Sequence, residues 1–454
     1  MPPNILLITA DDLNASVPGC FGGVSGATPR LDGLAAEGMR FARAHVPVAV
    51  CQPSRSALMT GRRPHSNGAE GFEAIRDDVP VLPDVLRGAG YRFGILGKVD
   101  HLAPVERFHW QVIHTQAELG MGRDPLAYAR AASAFISDAA HTSRPWFLLA
   151  NAHDPHRPFH GSDDELNWWP QEVRDVVPAP SKIFGSGEAD PPGFLPDHPL
   201  IRKEFAEYLS SVRRCDDVIG ALLDVLEGSG QAEETVVIFL SDHGMPFPFA
   251  KANCYVQSTQ TPLVIRWPGH IRPGVIEVSH FVSTLDLFPT FCTMAGVEAG
   301  AALELDGRCL TPLFAGERQS DRTQMVTMFH ETAAKERYEM RAIQTAESLY
   351  VWNHWSDGQR EYRAENMFGL TWNSMLAAGA ADPALNERNK FYVKRQPEEF
   401  YDLIEDPHAL QDLTDRPSRR SQVENLRHEL LKDLQVHGDP LAGAFGDFMY
   451  EAEG

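Results

Sequence analysis

Five short apolar runs punctuate the chain: NILLIT (4–9), YRFGIL (91–96), PWFLLA (145–150), TVVIFL (235–240) and TPLVIRW (261–267). None alternates with polar residues, which is the pattern of strands buried on both faces. Between them, apolar positions recur at helical spacing in ATPRLDGLAAEGMRFA (27–42), PVLPDVLRGAG (80–90) and EFAEYLSSVRRCDDVIGALLDVLEGSG (204–230). The last stops at Gly-Ser-Gly, a helix-ending signal. Strands alternating with helices predict an α/β fold: a large mixed, mostly parallel sheet with helices on both faces. Past about residue 320 the texture changes. EMRAIQTAESLYVWNHW (339–355) reads as a hairpin of half-buried strands and RRSQVENLRHELLKDLQVHG (419–438) as a terminal amphipathic helix. The expected division is a larger domain over 1–320 and a smaller α+β domain over 321–454, with a short antiparallel sheet. The Pro-, Gly- and Asp-rich stretch 156–200 reads as a lid or a surface insertion.

The residues that close the apolar runs carry the chemistry. NILLITA leads into Asp11-Asp12, YRFGILG into Lys98 and then His101, PWFLLANA into His153-Asp154-Pro155-His156, and TVVIFLS into Asp242-His243-Gly244. Ligands of open α/β sheets bind beyond the carboxyl ends of the strands, so parallel strands would deliver all four groups to one edge. Singly, each ending is as easily a cap or a solvated turn; a solvated edge would scatter Ser, Asn, Thr and Lys rather than repeat metal-binding and acid–base types. Asp11, Asp12 and Asp242 offer hard oxygen ligands suited to Ca²⁺ or Mg²⁺, with His243 adjacent as a nitrogen ligand. Arg55, Lys98, His101, His153 and Lys251 add positive and titratable groups. A divalent cation among so many basic side chains suits an oxyanion centre, phosphate or sulfate.

Composition fits that picture and narrows it. The formal net charge of −21 argues against a nucleic-acid partner, which needs a basic surface. No apolar run reaches membrane-spanning length. The start, MPPNILLITADD, lacks a basic n-region and a long apolar h-region, so the expected location is cytoplasmic, the alternative being the mature form of a secreted or periplasmic protein. Six scattered cysteines without a C-x-x-C pair read as free thiols.

One of them, Cys51, opens CQPSRSALMTG (51–61). A lone cysteine is ordinarily a small buried hydrophobe. This stretch, however, resembles the signature of the formylglycine-dependent sulfatases, of the alkaline phosphatase superfamily: Cys-x-Pro-Ser-Arg followed by an apolar helix ending in Thr-Gly. NILLITADD, GILGKVDH, SDHG, STLDLFPTFCTMAG and EEFYDLIEDPHALQDL resemble further signatures of that family in order, so the likeness covers nearly the whole chain. NAHDPHRPF and SDHGMPFPFAKANCY look most like the N-sulfoglucosamine sulfohydrolase subgroup, with His243 where those enzymes usually carry Asn and Lys251 where they usually carry Arg.

The resemblance implies that a formylglycine-generating enzyme oxidises Cys51 to Cα-formylglycine, whose hydrate attacks sulfur; the second hydroxyl then expels sulfate, a step a thiol cannot perform. It implies metal ligands Asp11, Asp12, residue 51, Asp242 and His243, holding Ca²⁺ or alternatively Mg²⁺. Arg55 and Lys98 would orient the hydrate, His101 would act as base for sulfate release, and His153 and Lys251 would contact sulfate and protonate the leaving atom. His65 and His156 are the candidate substrate-binding residues on the rim. The expected substrate is a small sulfated sugar or a glycosaminoglycan-derived one, N-sulfoglucosamine favoured, with a homodimer as the assembly allowed for. Two other readings stay open: a phosphonate monoester or phosphodiester hydrolase on the same site, and a non-catalytic binder of sulfated glycans with Cys51 left as a thiol.

Overall fold

A computed structural model describes residues 2–453. Its strands, in chain order, are β1 (Asn4–Ala10), β2 (Met39–Phe41), β3 (Ala44–His45), β4 (Arg92–Leu96), β5 (Val112–His114), β6 (Trp146–Asn151), β7 (Thr235–Ser241), β8 (Leu263–Arg266), β9 (Val275–Glu277), β10 (Val282–Ser283), β11 (Gln324–Glu331), β12 (Arg337–Thr345), β13 (Ser348–Asn353) and β14 (Glu398–Asp402). Eight build one sheet in the order β5-β4-β6-β1-β7-β8-β2-β9. β8 runs antiparallel to both neighbours, and every other pairing in this sheet is parallel. The sheet is therefore mixed and mostly parallel, and all five apolar runs lie in it.

Alternation along β1 sorts the two faces. Leu6, Ile8 and Ala10 join a core with Tyr128 and Phe135 of the helix Pro125–Thr142 and with Phe205 and Leu209 of the helix Pro199–Gly228. Ile5 and Leu7 join the opposite core, with Leu58 and Met59 of the helix Cys51–Thr60 and Phe288 and Phe291 of the helix Leu287–Met294. Both faces of the strand are dry, which explains its unbroken apolar run.

A second sheet, β11-β12-β13-β14, is antiparallel throughout. Ile343, Tyr350, Trp352 and Phe400 on one face pack against Leu430, Leu434 and Phe445 of the helices Arg420–Val436 and Ala442–Glu453. Met340, Ala342, Leu349 and Val351 on the other face belong to the same core as β1. The hairpin read from 339–355 is β12–β13; β11 and β14 flank it. The 156–200 stretch lies along the helix Pro199–Gly228, held by the Phe184 amide on Ser210 Oγ at 2.9 Å and the Ser181 amide on Asp217 Oδ2 at 2.8 Å. It is a surface layer with two short helices of its own, Asp163–Trp168 and Gln171–Arg174.

Candidate active site

The four chemistry-bearing strand ends meet because their strands are neighbours. β4, β6, β1 and β7 lie side by side, and the registers Leu96↔Ala150, Thr9↔Asn151 and Ala10↔Ser241 bring their carboxyl ends level. After β1 the chain turns at Asp12, whose φ of 71° is left-handed. Tyr208 fixes that turn, donating from its hydroxyl to the Asp12 carbonyl at 3.0 Å and accepting from the Asn14 amide at 3.1 Å. The Asp12 amide donates to Asp242 Oδ1 at 3.1 Å, tying the end of β1 to the end of β7. Gly244 comes next after the β7 pair, where an added Cβ would lie 1.9 Å from the Gln257 carbonyl oxygen, so only glycine lets these backbones approach.

Cys51 is the first residue of the helix Cys51–Thr60. Its Sγ is 3.6 Å from Asp11 Oδ1, 3.3 Å from His243 Nε2 and 3.4 Å from Lys251 Nζ. Ligand atoms of Asp11, Asp12, Cys51 and His243 all lie within 4.8 Å of one another, and all four residues are buried. Asp242 stands at the edge of this group: Oδ1 is 3.8 Å from His243 Nε2, while Oδ2 accepts from Arg55 at 2.9 Å.

Three cationic side chains surround the carboxylates. Lys98 pairs with Asp11 Oδ2, and Lys251 donates to Asp12 Oδ1 at 2.8 Å. Arg55 bonds Asp242 and also Thr9 Oγ1 at 3.0 Å and Asn151 Oδ1 at 2.8 Å. His153 Nδ1 is 3.4 Å from Asp11 Oδ2, and the His156 ring lies 4.8 Å from that of His153. His101 stands edge-on to Phe72, half-buried. These three rings are more open than the buried carboxylates and cations of the cluster.

The electrostatics are uneven. Burial works against the Asp11 carboxylate, but Lys98, His156, His153 and Arg55 outweigh it and hold the group well below the usual range. Asp12 goes the other way: burial, helped by Asp11 and Asp242, raises it despite Lys251 and His243. Its Oδ2 is buried with no hydrogen-bond partner. A crowded, under-compensated carboxylate with an idle oxygen, beside two further carboxylates and an imidazole, is a donor set that a hard divalent cation satisfies. Burial also lifts the Cys51 thiol well above its ordinary value, Asp11 and Asp242 adding to the effect, so the unmodified side chain is held as a neutral, weakly nucleophilic thiol. Burial, with Lys98 next, drives His153 well below the usual histidine value and His101 down to about 3; burial together with Lys251 and Lys98 does the same to His156, so burial favours the neutral form at all three rings. Lys251 is held well above its ordinary value: burial opposes the ammonium, and the pull of Asp12 wins.

His65 does not join this cluster. Its Nε2 lies 3.2 Å from the His437 carbonyl and its Nδ1 3.6 Å from Asp439 Oδ2, and its side chain is 4% exposed. The carboxylate of Asp439, which also takes Arg341, draws it under the C-terminal helices instead of the rim. Arg63 goes the same way, to Asp433. Sequence reading also missed Thr9 and Asn151, the seats of the Arg55 fork, although both are polar residues closing apolar runs. The Asp154 side chain takes Arg123 at 3.0 Å and Arg214 at 2.6 Å, and its backbone carbonyl accepts from the Asp11 amide at 3.2 Å.

Known proteins share this arrangement of chain. The sulfatase family model matches residues 3–297, and the model described as N-sulphoglucosamine sulphohydrolase, C-terminal, matches residues 242–361. The chain is 29% identical to N-sulphoglucosamine sulphohydrolase of Homo sapiens, over 97% of this chain and 91% of that one. It is 28% identical to arylsulfatase A of Bos taurus, over 91% and 84%. Among solved structures, BT4656 in complex with its substrate D-glucosamine-2-N,6-O-disulfate superposes with a TM-score of 0.73 at 20% identity, covering 97% of this chain and 99% of that one. The phosphonate monoester hydrolase SpPMH from Silicibacter pomeroyi superposes with a TM-score of 0.68 at 18% identity, covering 96% of each.

Proposed function

The chain belongs to the sulfatase family, and from that premise we propose that it hydrolyses a sulfate ester or sulfamate of a sulfated sugar, N-sulfoglucosamine preferred, after a formylglycine-generating enzyme has oxidised Cys51. The observation that carries the reading is the convergence of Cys51 with Asp11, Asp12 and His243 under the cationic side chains of Arg55, Lys98 and Lys251. Asp11, Asp12, Asp242 and His243 would hold Ca²⁺, or Mg²⁺ in its place. Bound there, the formylglycine hydrate supplies a hydroxyl nucleophile and the cation supplies positive charge to the sulfate oxygens.

The chain's own residues do the rest. Arg55, forked between Asp242, Thr9 and Asn151, holds its carboxylate in place and keeps positive charge under the sulfate. Lys98 balances the Asp11 carboxylate. Lys251, protonated and 3.4 Å from Cys51 Sγ, is placed to give a proton to the leaving atom. His101 is the proton acceptor for sulfate release, and His153 contacts the sulfate and, with Lys251, serves the leaving atom. His156, behind His153, contacts the substrate. Nearly complete burial of the group strips water from the sulfate and strengthens every charge contact.

Sugar as the carrier is supported by the 29% identity to N-sulphoglucosamine sulphohydrolase along almost the whole chain. A phosphonate monoester hydrolase reading is kept as the second one, because SpPMH shares the fold end to end. The test has two steps. First, the mass of the peptide carrying residue 51 distinguishes aldehyde from thiol; a thiol in protein co-produced with the maturation enzyme would favour a non-catalytic glycan binder. Second, matured protein is given N-sulfated glucosamine, O-sulfated glucosamine and an aryl phosphonate monoester. Sulfate release from the N-sulfated sugar is expected; release from O-sulfated sugars alone removes the sulfamidase part, and preference for the phosphonate removes the sulfatase part. Chelation should abolish turnover and Ca²⁺ restore it, with a melting temperature that climbs with Ca²⁺ concentration; at a hundred times Kd the gain is about 2.7 kcal/mol. Recovery with Zn²⁺ alone would break the ligand assignment.

A further inference from the structure

Lys251 sits in a loop whose backbone is under load. Phe249 at φ 65° and Ala252 at φ 63° are both left-handed, and neither is glycine. Such a conformation costs a side-chain-bearing residue about 1–2 kcal/mol and persists only where its surroundings impose it. The surroundings here come from the far end of the chain. Tyr362 donates from its hydroxyl to the Ala252 carbonyl at 2.6 Å, and Asn366 donates from Nδ2 to the Lys251 carbonyl. Both residues belong to the segment between β13 and the helix Leu370–Gly379, and both are fully buried.

A second tier backs the first. Tyr392 Oη accepts from Asn366 Nδ2 at 2.8 Å and from Asn253 Nδ2 at 3.1 Å. Asn253 in turn donates to the Lys251 carbonyl at 3.2 Å, and its Oδ1 is fixed by Arg395 at 2.7 Å. Arg395 is anchored on Glu399 of β14 at 2.6 Å. On the opposite side the Ala252 amide donates to the Ala49 carbonyl at 2.9 Å, two residues before Cys51. The loop is thus gripped from both sides, and neither Tyr362 nor Asn366 bonds the carboxylates, Cys51 or the histidines.

We propose that Tyr362 and Asn366 are positioning residues for Lys251: by holding the Lys251 and Ala252 carbonyls they keep Ala252 left-handed and set the ammonium between Asp12 and Cys51. This rests on the reading that Lys251 protonates the leaving atom. Lost positioning of a proton donor costs on the order of 10²-fold in rate, and the loss falls on substrates whose leaving group needs that proton.

The experiment compares Tyr362→Phe and Asn366→Asp with the native enzyme on a sugar sulfate, whose leaving atom must be protonated, and on 4-nitrophenyl sulfate, whose leaving group departs as the anion. The expected result is a drop in kcat, with KM little changed, that is about tenfold or more larger for the sugar than for the nitrophenyl ester. Ala252→Gly, which removes the cost of the left-handed turn, should restore most of the kcat lost in Tyr362→Phe when the two are combined. Equal losses on both substrates, or no recovery with Ala252→Gly, would overturn the proposal, as would a loss explained by a fall in melting temperature. Should native protein turn over neither sulfate, the sulfatase reading fails by itself, and crystal structures decide the clamp. In Tyr362→Phe the Lys251 ammonium should have left Asp12; an unmoved ammonium and an unmoved Ala252 would refute it.

Discussion

Asp154 shows what a single carboxylate does beneath this site. It is fully buried between Arg123 and Arg214, also fully buried, and its backbone carbonyl meets the Asp11 amide. Neutralising it leaves two guanidinium groups without a countercharge, whereas the pair itself adds little net stability. Asp154→Asn is therefore expected to lower unfolding stability by about 3–5 kcal/mol, read from denaturant midpoints; a loss below about 1 kcal/mol would show that water reaches these arginines. Nothing in the sequence disclosed this role, because Arg123 and Arg214 are separated from Asp154 by 31 and 60 residues. His65 illustrates the same blindness in reverse. A basic run after the Cys51 helix looks like a rim, yet the acceptors that claim His65 and Arg63 lie on and just beyond the helix Arg420–Val436. By contrast Asp11, Asp12, Lys98, His153, Asp242 and His243 were legible, since each closes an apolar run and needs only the strands' adjacency to meet.

At the scale of elements, the legible strands are those long enough to make a run. β1, β6 and β7 are seven, six and seven residues of unbroken burial. β2, β5 and β9 have three residues each, too few to show a period. β8 was legible as a strand but not in direction: antiparallel pairing is set by the path of the chain after β7, through the loop that carries His243 and Lys251. That path depends on Gly244. Gly244→Ala pushes a Cβ to 1.9 Å from the Gln257 carbonyl, backbone against backbone, so the loop must move. The expected cost is about 1–3 kcal/mol, together with weaker Ca²⁺ binding if His243 is the ligand proposed above; calorimetry on the variant checks both, and unchanged Ca²⁺ affinity would count against that ligand role.

Across the whole molecule, the two sheets are not separable bodies. β12 and β13 put one face into the core they share with β1, and the Arg63–Asp433 pair ties the segment after the Cys51 helix to the C-terminal helix. Burial works against the Asp433 carboxylate, but hydrogen bonds from His437 and Arg63 hold it down to about 2. A carboxyl held below its unfolded value of 3.8 adds stability that is fully present above that pH and is lost as pH falls towards about 2. Its share at neutral pH is about 2 kcal/mol. Asp433→Asn should accordingly cost that much at pH 6 and progressively less towards pH 3, measured by urea unfolding; a pH-independent difference would mean the carboxylate is not ion-paired in solution.

The burial of Cys51, 4% exposed at the root of its helix and roofed by the Lys251 loop, has a consequence in time. The oxidation proposed for Cys51 requires an enzyme to reach this thiol, and the finished fold buries it. The proposed conversion is therefore expected before folding, in the interval when the newly made chain is still slack. Purified thiol protein mixed with the maturation enzyme should keep its mass, while the same protein unfolded and presented as an open chain should be converted; oxidation of the folded form would show that the roof lifts on its own.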